Sequence, residues 1–431
     1  MLVTGSITPT RRALAELLAE ARARTVLLVS SLDSRDLALE PAPEVGSVLS
    51  ELDRIVHYEK RWLLDDPQHQ PVGTYDEWFD LMTEVRQRVL QALDQADLLE
   101  QPLLAERYHR TLEHEYRRGE SILEAMQLLG HSYTPVQARR LPRGRRLADP
   151  GVMARFPGGK VRLGADSRLS PWPEERPVHR LELPPFWLDV MPVTNGEFLT
   201  FMGEGGYNRR DLWSNDGWHW IRELQIGMPL NWYWQDGAWW SRSLGHESPV
   251  DFTCPVSHVS WYEADAFARY VGKRLPTEAE WEAAASWDPE TQSRRNYPWG
   301  NMPPSPHVAN LDQLSYGPAS VGALPGNLSP IGCYGMIGDL WEWTADAFLP
   351  YHEFEETPGD QPAFSRYAKV LRGGSWATRI GAIRTTSRQP GKPESRYLFS
   401  GFRCARDGGR AVGRSGKQAV SRSGGRMVGR K

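Results

Sequence analysis

The chain has 431 residues and a formal net charge of -3, with 24% charged and 40% hydrophobic residues, a length that points to two domains and leaves ample apolar material for their cores. Three cysteines, Cys254, Cys333 and Cys404, are odd in number, widely spaced and without a CxxC pair, which argues against a disulfide framework and a zinc site and fits a reducing cytoplasm. No apolar run approaches the ~20 residues needed to span a bilayer, and MLVTGSITPTRRALAELLAEARAR turns amphipathic at once, unlike a signal peptide; a cytoplasmic protein with no membrane partner is expected.

In chain order, PTRRALAELLAEARARTVLLVSSL, VGSVLSELDRIVHYEKRWLL, YDEWFDLMTEVRQRVLQALDQA and LLAERYHRTLEHEYRRGESILEAMQLLG repeat apolar residues at helical spacing, with Pro-containing turns at PAPEVG and DDPQHQPVG. They predict a four-helix bundle over residues 1–132, an architecture that often holds metals and cofactors in its interior. Residues 133–152, rich in Pro, Gly and Arg, read as a surface linker. Residues 153–406 change to short strands and loops and hold sixteen of the eighteen tryptophans, most of them expected to be packing residues. Thr277 and Glu280 spell a capping box for the helix PTEAEWEAAA. Residues 407–431 carry seven Lys/Arg and one Asp and repeat GGR-x-VGR; so little apolar content predicts a disordered, solvated tail, and no nucleic-acid partner is expected.

One stretch, TLEHEYRRGESILEA, has the look of a metal-binding helix, but the position four after His114, which shares its face, is Arg118. A guanidinium cannot ligate a metal. The second half then carries FWLDVMPVTNGEF, PVSHVSWYEADAFARYVGKRLPTEAEWE, YPWGN, YGMIGDLWEWTAD, VLRGGSW and FSGFRCAR, in that order. Together these resemble the formylglycine-generating-enzyme/sulfatase-modifying-factor domain, which implies an α+β, C-type-lectin-like fold for this half. The formylglycine-generating enzymes use a cysteine pair just after RGGSW, where this chain reads ATRIGAIRTTSR, and that departure argues against their activity.

With a helical bundle in front, the arrangement is similar to the ergothioneine sulfoxide synthases (hercynine oxygenases, EgtB), which join a DinB-like bundle to this domain. The resemblance implies a non-heme Fe(II), O2-dependent oxidoreductase that couples a small-molecule thiol to a histidine-derived substrate. It also implies three histidine ligands, one on an early bundle helix and two in an H-x-x-x-H-x-E motif on the last. Here His114 and Glu120 match that motif, while Arg118 stands on one ligand position and Arg54 on another, with His57 one turn after it. Two readings stay open: His57 and His114, with Glu120 or His109, still hold iron, or Arg54 and Arg118 bind a carboxylate or phosphate instead. Under the first, Glu120 orients a ligand and Tyr351, in the loop after WEWT, serves as the proton donor. The family's Asn-Trp-Asp substrate run falls on Gln389, Pro390 and Gly391, so Gln389 is the candidate substrate contact. Asn310, Asp312 and Asp339 offer oxygens for a structural Ca2+ or cap turns. The competing functional expectations are the iron enzyme, a non-catalytic ligand-binding homologue, and an enzyme with an anion-binding Arg54/Arg118 site.

Overall fold

The computed structural model describes residues 10–68, 73–134, 141–144, 149–166, 169–354 and 363–408. The helical part comes first: α1 (Arg11–Val29), α2 (Ser34–Ala38), α3 (Val48–Leu63), α4 (Tyr75–Gln95) and α5 (Pro102–Leu129). Three of the long helices begin where the sequence offers an oxygen to the free amides of the first turn. Thr10 accepts from the amide of Ala13, Ser47 accepts from that of Ser50, and Thr74 and Glu77 form a reciprocal capping box. α5 starts on Pro102, at a position that needs no amide, and stops at Gly130 with φ 74°, where glycine takes the left-handed turn without strain. The five-residue α2, capped by Asp33, lies between α1 and α3.

Leu14, Leu18, Val48, Leu52, Val56, Trp78, Val89, Ile122 and Leu123 are fully buried in the bundle, each burial contributing roughly 1.5–3 kcal/mol. Among them sits an ionic knot that ties all four long helices. Arg22 reaches Glu59 at 2.9 Å and Glu115 at 2.8 Å, and Arg86 reaches the same two carboxylates at 2.6 and 3.0 Å. Two cations against two anions leave no uncompensated charge, the condition for burying ions at tolerable cost.

From Met153 onward, short sheets and loops surround a second core. Phe186–Asp189 is the middle strand of three, between Met153–Phe156 and Ala405–Asp407. The four-stranded sheet runs Arg388–Gly391, Ser365–Arg372, Trp341–Phe348, Ser400–Gly401; its last pair is parallel and the others antiparallel. The helix Glu278–Ser286 lays Trp281 against this sheet, and the Trp281 indole donates to Glu342 at 2.7 Å while Arg403 grips the same carboxylate. The tryptophans do pack: Trp172, Trp213, Trp232, Trp281, Trp287, Trp341, Trp343 and Trp376 are buried, whereas Trp234 is exposed.

The architecture is therefore α+β in two parts, helices first and the β-rich domain second. The parts share a core, since Leu244, Leu340, Trp376, Ala377, Ala382 and Phe399 pack into the bundle's apolar cluster. No helix among the described residues is long and apolar enough to cross a membrane. The basic tail lies outside the described residues beyond Gly408, and Asp407 before it pairs with Arg274 at 2.7 Å.

The candidate site along α5

α5 is the common wall of the two domains, and its successive faces do different work. Residues four apart share a face, while neighbours in sequence point about 100° apart. His114 and Arg118 look toward α3. The imidazole of His114 stacks flat on Tyr58, with ring centroids 3.8 Å apart and planes 7° from parallel. Arg118 donates to Glu51 Oε2 at 3.0 Å, and Arg54 donates to the other oxygen of Glu51 at 2.5 Å. The two arginines therefore meet on one carboxylate, which the sequence did not single out.

The electrostatics of this face follow from its charges. Burial, reinforced by Arg118, Arg117, Arg54 and Arg110, holds the His114 pKa well below the usual imidazole range, so the ring is neutral at physiological pH. His57 is turned differently: its Nδ1 lies 3.0 Å from the Asp53 carbonyl oxygen and 3.0 Å from Asp53 Oδ1, on its own helix. The α3 ring that stacks on His114 is that of Tyr58, one residue on.

Glu120 and Glu113 point across to the β-rich domain. Glu120 accepts hydrogen bonds from the Trp341 indole at 2.9 Å, from Thr378 Oγ1 at 2.8 Å and from Ser375 Oγ. Glu113 takes a two-pronged contact from Arg384 at 2.9 and 2.7 Å and a third bond from the Trp172 indole at 2.6 Å. Arg117 stacks on Trp172, 3.6 Å from the ring centroid, and reaches Glu174 at 2.8 Å. Glu124, one turn beyond Glu120, is fully buried; burial and the nearby carboxylates of Glu120 and Glu51 push its pKa well up.

The remaining candidates sit in the β-rich domain. The half-buried Tyr351 donates to Glu278 at 3.3 Å, with Arg388 4.2 Å and His179 4.5 Å from its ring, and burial raises its phenol pKa above the ordinary range. Gln389 pairs with Leu371 inside the four-stranded sheet. Arg388, next to it, joins Tyr351's partner Glu278 to the backbone oxygen of Glu174. Through Glu174 this polar cluster continues to Arg117 and so to the face that holds His114.

Among the described residues, no three His, Cys, Asp or Glu side chains come together as a metal-holding group. The surroundings of His114 and Glu120 fit a metal dication poorly. An Fe(II) ligand shell needs donors that tolerate a dication, but His114 faces guanidiniums, and Glu120 is already engaged by three donors. The Ca2+ candidates also have other partners. Asn310 donates to Asp339 at 2.8 Å, and Asp312 pairs with Arg379 at 2.7 Å.

The profile of the Sulfatase-modifying factor enzyme 1-like domain matches residues 139–408. A hercynine oxygenase of Mycolicibacterium smegmatis is 34% identical over 432 residues, covering 92% of this chain and 99% of the relative. That of Mycobacterium tuberculosis is 35% identical, covering 90% and 97%. A Bos taurus protein described as an inactive C-alpha-formylglycine-generating enzyme 2 is 32% identical, covering 61% of this chain and 90% of its own length.

Proposed function

The chain belongs to the hercynine oxygenase family, and from that premise we propose that it binds an anionic small molecule, a carboxylate, on the face of α5 where the family resemblance calls for iron. Descent from an oxygenase supports a related oxidoreductase activity, with a histidine-derived compound and a thiol as the substrate class to test first. The observation that carries the anion reading is the clamp of Arg54 and Arg118 on Glu51 in front of a neutral His114. Glu51 occupies the position a ligand carboxylate would take, and a guanidinium suits a planar carboxylate by geometry as well as charge. An incoming carboxylate competes with Glu51 for Arg118, while Arg117, braced on Trp172, adds positive field from the side.

The iron- and O2-dependent coupling of a thiol to a histidine derivative is the competing reading, and the 34% identity over 92% of the chain supports it. In that reading His57 and His114 hold the metal, Glu120 orients a ligand, Tyr351 handles a proton and Gln389 contacts substrate. Two measurements on the full chain separate the readings: iron content after anaerobic Fe(II) reconstitution, and calorimetric titration with succinate. Anion binding predicts substoichiometric iron and a succinate affinity that falls at least about tenfold, or roughly 1.4 kcal/mol, in Arg118→Gln. Stoichiometric iron with no succinate signal overturns it.

A further inference from the structure

A concavity lies on the flank of α5 turned toward α1, away from the Arg118 face. It has a volume of about 170 Å³ and is bounded by α1, α5, Tyr133 and the loop segments around Asp312 and Arg379. Four independent features mark it as a built site.

First, Arg24, Arg379 and Asp312 face one another on its rim, with Glu20 paired to both arginines just outside the lining. Arg379 pairs with Asp312 at 2.7 Å and with both oxygens of Glu20 at 2.9 and 2.8 Å; Arg24 pairs with Asp312 at 3.5 Å and also with Glu20. Second, Asp312 and Gln313 have successive positive φ values of 63° and 60°. That conformation costs a residue bearing a side chain on the order of 1 kcal/mol and tends to persist where surrounding structure demands it. Their amides are pinned to Thr378 and Trp376 at 2.8 Å each, and the Gln313 side chain accepts from Tyr133 at 2.9 Å. Third, Gly119 stands in the middle of α5 at the cavity wall, and a Cβ added there meets no atom within 4 Å. An internal glycine weakens a helix by about 1 kcal/mol relative to alanine, and no close contact requires this one; its effect is to leave room. Fourth, beside the charged rim the wall is apolar, formed by Ala21, Leu28 and Ala377.

We propose that this cavity binds a small zwitterion with an aliphatic body, of the size and charge pattern of a free amino acid such as leucine. Glu115 and Glu120 also line the cavity but are engaged elsewhere, by Arg22 and Arg86 and by Trp341, Ser375 and Thr378, which leaves Arg24 and Arg379 to meet an anionic group and Asp312 a cationic one. A zwitterion supplies both, its carboxylate on Arg24 and Arg379 and its ammonium on Asp312. The aliphatic body then covers the apolar wall beside Gly119.

The test is calorimetry and thermal melting of the full chain with L-leucine, against isovalerate and isoamylamine as analogues carrying one charge each. Leucine is expected to bind saturably below ~10 mM, with either analogue weaker by at least about tenfold. Gly119→Leu, which fills the cavity, and Arg24→Gln, at a side chain 31% exposed, should each weaken leucine binding by a similar factor. Should Gly119→Leu fail to fold, Arg24→Gln decides. No saturable leucine binding, equal binding of a singly charged analogue, or unchanged affinity in the folded variant overturns the proposal.

Discussion

Replacing Glu120 tests whether its carboxylate joins the two domains or serves a metal. It lies on the last bundle helix, yet all three of its donors, Trp341, Ser375 and Thr378, come from the β-rich domain. Burial raises its pKa above the ordinary carboxyl range, so the charge is tolerated only because those donors converge on it. Glu120→Ala leaves three donors without their acceptor, at roughly 1–3 kcal/mol each where they stay unpaired. Relief of the carboxylate's own desolvation offsets part of this, and a net loss of about 3–5 kcal/mol is expected, as for other buried charged groups that lose a partner. Glu120→Gln keeps the volume and one acceptor oxygen, so its loss should be about 1–2 kcal/mol. Urea unfolding followed by tryptophan emission measures both, and the midpoints should fall in the order parent, Gln, Ala. A Glu120→Ala protein within ~0.5 kcal/mol of the parent, the range of an ordinary surface change, would refute the joint. Reduced Fe(II) retention at unchanged stability would assign the carboxylate to a metal ligand instead.

Three further outcomes follow from the same geometry. Arg54→His combined with Arg118→His removes two of the four guanidiniums around His114 and adds two neutral donors, so Fe(II) affinity should rise at least about tenfold in anaerobic chelator competition; an unchanged or weaker affinity counts against the sign argument. Arg86→Met breaks the knot among Arg22, Glu59 and Glu115 and should cost about 3–5 kcal/mol in chemical denaturation, since two buried carboxylates are left with one cation; a loss under 1 kcal/mol contradicts this. The carboxyl of Asp339 is raised by burial to about 6, above the ~3.9 of an unfolded aspartate, so the native state holds the proton more tightly. Stability from this group is full below about pH 4 and falls as pH rises to about 6, by on the order of 2 kcal/mol after discounting for partial exposure. Asp339→Asn keeps an acceptor oxygen and suits the residue's φ of 63°, so it should flatten that decline; an unchanged slope between pH 4 and 6 refutes the assignment.

Helix spacing alone gave the bundle, because each long helix carries its own cap or stop signal and a continuous apolar stripe. The motif likewise gave the positions of His114, Arg118 and Glu120. What they touch could not be read locally: Glu120 finds its partners 221 to 258 residues away, and no periodicity encodes such a distance. The choice between His57 and Tyr58 was equally closed, since both lie on an amphipathic helix and only the packing of α3 against α5 decides which ring stacks on His114. Glu51 was legible in principle, because it stands one turn before Arg54, but its second partner Arg118 required the fold.

These placements bear on what Arg118 does on this face. Had Arg118 merely filled a vacated ligand site, its charge would be left to solvent or to chance, and the neighbouring carboxylates would be unrelated to it. Instead Arg54 and Arg118 converge on Glu51, Arg117 is braced between Trp172 and Glu174, and the enclosed imidazole is kept neutral. A face organised in this way presents positive potential at the centre where a metal site requires electron-pair donors. That positive sign is the physical reason to look for an anion on this face.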